Sequence, residues 1–149
     1  MTSKATVNDF ISQRSLAVVG VSRRGQKFGN MAYRELKKSG YKLYPIHPTA
    51  ETLEGDRAYK DFASLPEPVG GVLVVVPPAQ TEKVVRAAAA AGIKRVWMQQ
   101  GSESEAAIRF CKENGVSEVH GECILMFAGK SFFHKPHRWV WGLLGKLPK

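Results

Sequence analysis

A chain of 149 residues with 44% hydrophobic and 23% charged content has the size and balance of one globular domain with a core of its own. Its apolar stretches fall well short of the ~20 residues of a membrane span, the start MTSKATVNDF has no apolar leader core, and its two cysteines, Cys111 and Cys123, form neither a disulfide framework nor a metal pair. The expectation is a reduced, cytoplasmic protein, a single domain over 1–149. The net charge of +9 favours anionic partners, but five of those nine charges lie in 130–149, at Lys130, Lys135, Arg138, Lys146 and Lys149, so the charge on the main body is weak ground for nucleic acid.

In chain order, TVNDFISQR reads as a short helix with Thr6 as cap and Asp9 in its first turn. SLAVVGV (15–21) is a buried strand, residues 29–39 a helix stopped by Gly40, and YKLYPI (41–46) the second strand. HPTAETLEGDRAYKD is a polar connection with a short strand near Arg57 to Tyr59, and FASLPEP a turn or brief helix closed by prolines. GVLVVV (71–76) is apolar throughout, as strands covered on both faces are. An alanine-rich helix ending at Gly92 follows, then the strand KRVWMQQ, a helix capped by Ser102 or Ser104, and a fifth strand, VSEVHG. Strands alternating with helices of about ten to fifteen residues predict an α/β, Rossmann-like, doubly wound five-stranded parallel sheet with helices on both faces.

In such sheets ligands sit beyond the carboxyl ends of the strands, where strand order reverses. The stretches expected to face one crevice are Gly20-Val21-Ser22-Arg23, Ile46-His47-Pro48, Val76-Pro77-Pro78, Gln99-Gln100-Gly101 and Gly121-Glu122-Cys123. The first of these opens AVVGVSRRGQKFGN, whose glycines match neither standard phosphate motif. Gly20 and Gly25 have the P-loop spacing, but the lysine, Lys27, is one place late and Phe28 stands where a hydroxyl is needed. The dinucleotide fingerprint fails too: Ser22 replaces its second glycine, and the second strand ends at His47-Pro48 with no carboxylate for a ribose. What remains is a tight turn at Gly20, donors on Ser22, three cations (Arg23, Arg24, Lys27) and a helix N-terminus near Gly29 or Asn30. That set suits a polyanion carrying more charge than a lone pyrophosphate.

Taken together, AVVGVSRR with KFGN, GYKLYPIHP, LEGDRAYKDFASLPEPVGGVLVVVPP, GIKRVWMQQGSES and GEC resemble, over residues 10 to 125, the small stand-alone CoA-binding domain family, which is similar to the N-terminal domain of the succinyl-CoA synthetase α subunit. The resemblance implies coenzyme A as ligand. Gly20, Val21, Ser22 and Arg23 would wrap the phosphates, with Arg24, Lys27 and Asn30 beside them. Pro45, His47 and Pro48 would line the adenine side, Val76, Pro77 and Pro78 the middle of the ligand, and Gln99, Gln100 and Gly101 the route of the pantetheine arm. His47 stands where relatives usually carry Asn in P-x-N-P.

The synthetase performs its chemistry with a phosphorylated histidine on a later domain and a nucleotide-grasping partner. Neither is expected here, since His47, His120, His134 and His137 lie in no matching segment. Glu103, Glu105, Glu113 and Glu118 read as solvated charge and Cys111 as core; Cys123 reads first as a buried structural thiol, with a thiol near the crevice as the alternative. The H-x-x-H of His134 and His137 is interrupted by Pro136 and has no third ligand. The basic, aromatic extension 130–149 reads as a segment docking on the domain, a second copy or a partner subunit. The function expected is non-catalytic binding of CoA or acyl-CoA, without metal, nucleic acid or membrane. The alternative is an NADP-binding oxidoreductase-like domain, with Arg23 and Arg24 meeting a 2′-phosphate.

Overall fold

The computed structural model describes residues 3–128; the extension 130–149, and the docking expected of it, lie outside the described residues. The central sheet has the order β2-β1-β5-β6-β7 and is parallel throughout, formed by β1 (Ser15–Val19), β2 (Lys42–Ile46), β5 (Gly71–Val74), β6 (Arg95–Met98) and β7 (Ser117–Val119). A separate antiparallel hairpin, β3 (Thr52–Leu53) with β4 (Asp56–Arg57), and a 3-10 turn at Phe62–Ser64 occupy the connection between β2 and β5. The helices are α1 (Lys4–Ile11), α2 (Phe28–Lys38), α3 (Pro78–Ala90), α4 (Glu105–Glu113) and α5 (Leu125–Ala128).

The period of two along each strand divides the core between the two faces. Leu16 and Val18 of β1, Leu73 of β5 and Trp97 of β6 pack under α1, α2 and α5, whereas Ala17, Val72, Val74, Val96 and Met98 pack under α3 and α4. Because both faces are covered, these strands read as unbroken apolar runs. Trp97 is fully buried between Phe10 and Phe127, and its indole N–H donates to the Glu122 carbonyl at 3.1 Å.

The chain leaves β1 toward β2 at one edge, then returns across β1 to begin β5 on its other side. Strand order therefore reverses between β1 and β5. Pro45 is accommodated in β2 because its position faces away from β1: its carbonyl accepts from the Tyr59 N–H at 2.9 Å, and the His47 N–H donates to the Tyr59 carbonyl at 2.8 Å.

Several expectations shift in detail. Ser3, not Thr6, caps α1, its hydroxyl accepting from the Thr6 N–H at 3.1 Å, because the helix already begins at Lys4. Ser104 caps α4 through the Ala107 N–H. Ser102 is instead buried, its carbonyl accepting from the Thr81 hydroxyl at 2.5 Å. The strands are shorter than their apolar runs: β1 stops at Val19, where Gly20 turns the backbone out of the ladder with φ +122°, and β5 stops at Val74, three residues before Pro77.

Candidate functional site

At the reversal point three main chains meet without side chains between them. A Cβ on Gly20 would lie 2.0 Å from the Val75 carbonyl oxygen, and a Cβ on Gly29 would lie 2.2 Å from the Gly20 carbonyl oxygen. The end of β1, the first turn of α2 and the exit of β5 thus touch backbone to backbone. Above them opens a cleft of about 360 Å³ lined by Gly20, Lys27, Phe28, Gly29, Val75, Val76, Pro77, Gln99, Gln100, Gly101 and Ser102. Seven of these come from the sequence-derived list: Gly20, Lys27, Val76, Pro77, Gln99, Gln100 and Gly101. Phe28, Gly29, Val75 and Ser102 do not. The signal for Gly29 was its place in the first turn of a helix without positive φ, where glycine has no conformational use; a close approach is what requires it.

The loop after Gly20 is wired to α2. Val21 is core, 3% exposed. Asn30 is fully buried and spends its whole amide on neighbours: Oδ1 accepts from the Ser22 N–H (3.0 Å) and hydroxyl (2.8 Å), while Nδ2 donates to the Ser22 carbonyl (2.8 Å) and Glu54 Oε2 (2.8 Å). The Ser22 donors therefore face Asn30. Arg23, Arg24 and Lys27 are exposed, and the Arg23 guanidinium donates to the Thr49 hydroxyl at 2.6 Å. Pro78 is exposed as the first residue of α3.

The β3–β4 hairpin clamps α2 with two carboxylates set either side of Gly55. Glu54 holds Asn30 and, at 2.9 Å, Arg34. Asp56 holds the Tyr33 hydroxyl at 2.5 Å and Lys37 at 2.9 Å. Each carboxylate takes residues one helical turn apart. The Asn30 amide, and after it Arg34, keeps the Glu54 carboxyl below its ordinary range despite burial. For Asp56 burial pushes upward, but the Tyr33 hydroxyl and Lys37 outweigh it and the carboxyl titrates low. Burial first, then the Asp56 bond, pushes the Tyr33 phenol far above its ordinary value. The turn itself has φ +51° at Glu54 and +82° at Gly55, and Glu54 is the one non-glycine with positive φ among the described residues. That backbone costs a non-glycine about 1–2 kcal/mol.

A second cavity, about 720 Å³, adjoins the loop on the β2 side and includes His47, Pro48, Thr49, Arg57, Tyr59, Lys60 and Ser64 in its lining. His47 Nδ1 accepts from the N–H groups of Thr49 (3.1 Å) and Ala50 (3.0 Å). This is the turn that an Asn side chain makes with the backbone two residues on, made here by an imidazole. Burial, then the Arg23 charge, lowers its pKa. Pro45 is buried inside β2 and lines neither cavity. The strand ends expected to face one crevice thus line two spaces that share no lining residue, with Arg23 of the loop bonded to Thr49 of the larger one. Gly121-Glu122-Cys123 also stands outside the cleft lining. The Glu122 carbonyl supports it from beneath by accepting from the Gln100 N–H at 3.2 Å.

Cys111 is fully buried and its thiol is pushed up to about 12, by burial and then Glu118. Glu118, read as solvated charge, is only 9% exposed and lies 2.5 Å from His120. Cys123 is half-buried against the core beneath α1, α2 and α5. Among the described residues no three His, Cys, Asp or Glu side chains are placed to hold a metal ion, and no helix is long and apolar enough to cross a membrane.

The chain is 27% identical over 123 residues to the uncharacterized protein YneT of Bacillus subtilis, covering 82% of this chain and 91% of that one. It is 31% identical over 88 residues to the α subunit of the ADP-forming acetate–CoA ligase II of Pyrococcus furiosus, a match that spans 58% of this chain but only 19% of the ligase subunit. A conserved hypothetical protein of Pyrococcus furiosus superposes with TM-score 0.71 at 36% identity, covering 75% of this chain and 97% of that one. Residues 14–128, which contain the cleft, the basic loop and the hairpin clamp, match the CoA binding domain family, and the chain belongs to that family.

Proposed function

We propose that the chain binds CoA or acyl-CoA across the two adjoining spaces and holds it without turning it over. The observation that carries this reading is the placement of one basic loop between two cavities. Arg23, Arg24 and Lys27 are exposed on that loop beside the N-terminus of α2, Lys27 lines the 360 Å³ cleft, and Arg23 reaches Thr49 in the lining of the other space. CoA has the matching sequence of parts, with phosphates between an aromatic base and an extended amide arm. In this reading the pyrophosphate lies on Gly20–Lys27 and the base lies by His47 and Pro48. The arm crosses Val76 and Pro77, with Pro78 at the rim, toward Gln99, Gln100 and Gly101. The proline pair offers a rigid surface without donors. Asn30 acts through Ser22, and Pro45 only sets the course of β2.

Calorimetry with CoA, acetyl-CoA, NADP and ATP tests it, on the wild type and on Arg23→Ala. Micromolar CoA binding that weakens at least about tenfold in Arg23→Ala, the worth of one charged hydrogen bond, with NADP far weaker, supports the reading. No heat with CoA, or NADP binding as tightly as CoA, overturns it. Release of free CoA from acetyl-CoA in the presence of the protein would remove the non-catalytic part alone.

A further inference from the structure

We propose that Glu54 is a positioning residue for the phosphate-facing loop: from a strained turn outside that loop, its carboxylate fixes the Asn30 amide and thereby the course of Ser22 and the residues after it. The inference rests on the CoA reading above and deepens it by naming what shapes the loop.

The chain of contacts is short and saturated. Asn30 has two acceptor and two donor positions, and all four are engaged, three with Ser22 and one with Glu54. A flipped or rotated amide would break every one of them: the Ser22 N–H and carbonyl fix its orientation, and the Glu54 carboxylate, which accepts only, anchors the amide from the side away from Ser22. The same oxygen takes Arg34, whose guanidinium also reaches the Gly25 carbonyl at 3.4 Å. A Cβ on Gly25 would lie 3.6 Å from Glu54 Oε2, ordinary van der Waals spacing. Glu54 therefore reaches the loop through two residues of α2: Asn30, which holds Ser22, and Arg34, which reaches Gly25.

Two features make this residue an odd choice unless it has such a task. The first central position of a two-residue hairpin turn with positive φ favours Asn, Asp or Gly, and here it holds a glutamate at φ +51°. A negative charge beside a loop that receives phosphates also repels the ligand. A strained, like-charged side chain that clamps α2 through Arg34 and also holds the amide that holds Ser22 is accounted for by ordering the loop.

The two effects have opposite signs, which gives the test its edge. Glu54→Gln keeps an oxygen for the Asn30 amide and removes the charge; Glu54→Ala removes both. Calorimetry with CoA is read together with the exchange rate of the Ser22 amide proton by NMR, since that proton is held by Asn30. Glu54→Gln is expected to bind CoA as tightly as the wild type or more tightly, with Ser22 exchange unchanged. Glu54→Ala is expected to bind about tenfold more weakly and to exchange Ser22 about tenfold faster, the scale of one lost charged hydrogen bond. If Glu54→Ala does not fold, Glu54→Asn takes its place, since the turn accepts Asn and the side chain is one carbon shorter. A rise in affinity in both variants would mean the carboxylate acts by charge alone, and a matching fall in both would mean it only stabilises the fold. Either result overturns the proposal, as do equal affinities or unchanged Ser22 exchange in Glu54→Ala. A wild type that does not bind CoA overturns the CoA reading, and Ser22 exchange then decides the positioning role by itself.

Discussion

Replacing Gly29 with alanine puts helix propensity against close approach. Alanine in a helix is favoured over glycine by ~1 kcal/mol, so propensity alone predicts a more stable protein. The new Cβ, however, would lie 2.2 Å from the Gly20 carbonyl oxygen and 2.9 Å from its carbon, both main-chain atoms. Restoring even a 3.0 Å contact from 2.2 Å requires a retreat of about 0.8 Å. Gly20 cannot supply it freely, because Val75 crowds it from the β5 side. Overpacking of this kind costs about 1–3 kcal/mol, and with two backbones resisting, the upper end applies. The net change is a loss of about 2 kcal/mol, or roughly 4–8 °C in Tm for a domain of this size. Thermal and urea unfolding followed by circular dichroism measure it, with CoA calorimetry alongside, since the displaced loop should also bind less well. Gly40→Ala is the control: its φ of +101° strains an alanine but nothing lies within 4 Å, so stability falls while CoA affinity holds. A Gly29→Ala protein as stable as the wild type, or more so, would refute the close-approach argument.

Tyr33→Phe removes a buried donor to Asp56 and should cost about 1–2 kcal/mol in urea unfolding. Because the Asp56 and Glu54 carboxyls titrate low in the folded chain, their contribution is complete above the ordinary carboxylate range and is lost as pH falls through the folded values. In Tyr33→Phe the folded Asp56 carboxyl moves back toward its ordinary value, so that loss should be smaller and complete at higher pH, and acid unfolding curves that superpose once offset for stability at neutral pH would contradict this. His47→Asn should leave stability within about 0.5 kcal/mol, since an Asn oxygen can take the Thr49 N–H, whereas His47→Ala should lose about 1 kcal/mol. The folded pKa of His47 lies below its ordinary value, so the stability it contributes is complete above the ordinary histidine range and declines as pH falls through the folded value. His47→Asn should abolish that decline, and nitrogen NMR should show the proton on Nε2. Ellman's reagent at pH 8 should modify Cys123 in the native protein and Cys111 only in denaturant, given its burial and raised pKa; two rapidly reacting thiols would contradict the structure.

The sheet was legible because its strands are apolar on both faces and its helices are closed by glycines such as Gly40 and Gly92, so periodicity and punctuation agreed. The cleft was legible in part, because strand ends can be listed once strand order is assumed. The β3–β4 hairpin was legible only in its second half: the short strand expected near Arg57 to Tyr59 falls on β4 and the Tyr59 bridge, but a two-residue β3 carries no period, and Glu54 is a poor turn former held in place by tertiary contacts. Asn30 was placed beside the loop by the family resemblance, but the partners that turn its amide inward, Ser22 and a Glu54 carboxylate 24 residues away, are set by the fold. Pro45 illustrates the opposite limit. Its place in a strand-end motif suggested a ligand wall; the structure buries it inside β2 with its carbonyl bonded to the Tyr59 N–H, an edge geometry that depends on which side β1 pairs.

The meeting of Gly20, Gly29 and Val75 also bears on how the cleft can vary. At that junction two of the three residues are glycines and the contacts run through peptide groups, which have no rotamers to exchange. Mutation there moves the scaffold rather than retuning the surface. Changes in ligand preference are therefore left to the rim, at Lys27, Phe28 and Gln100, where a new side chain can alter what is admitted without disturbing the junction beneath.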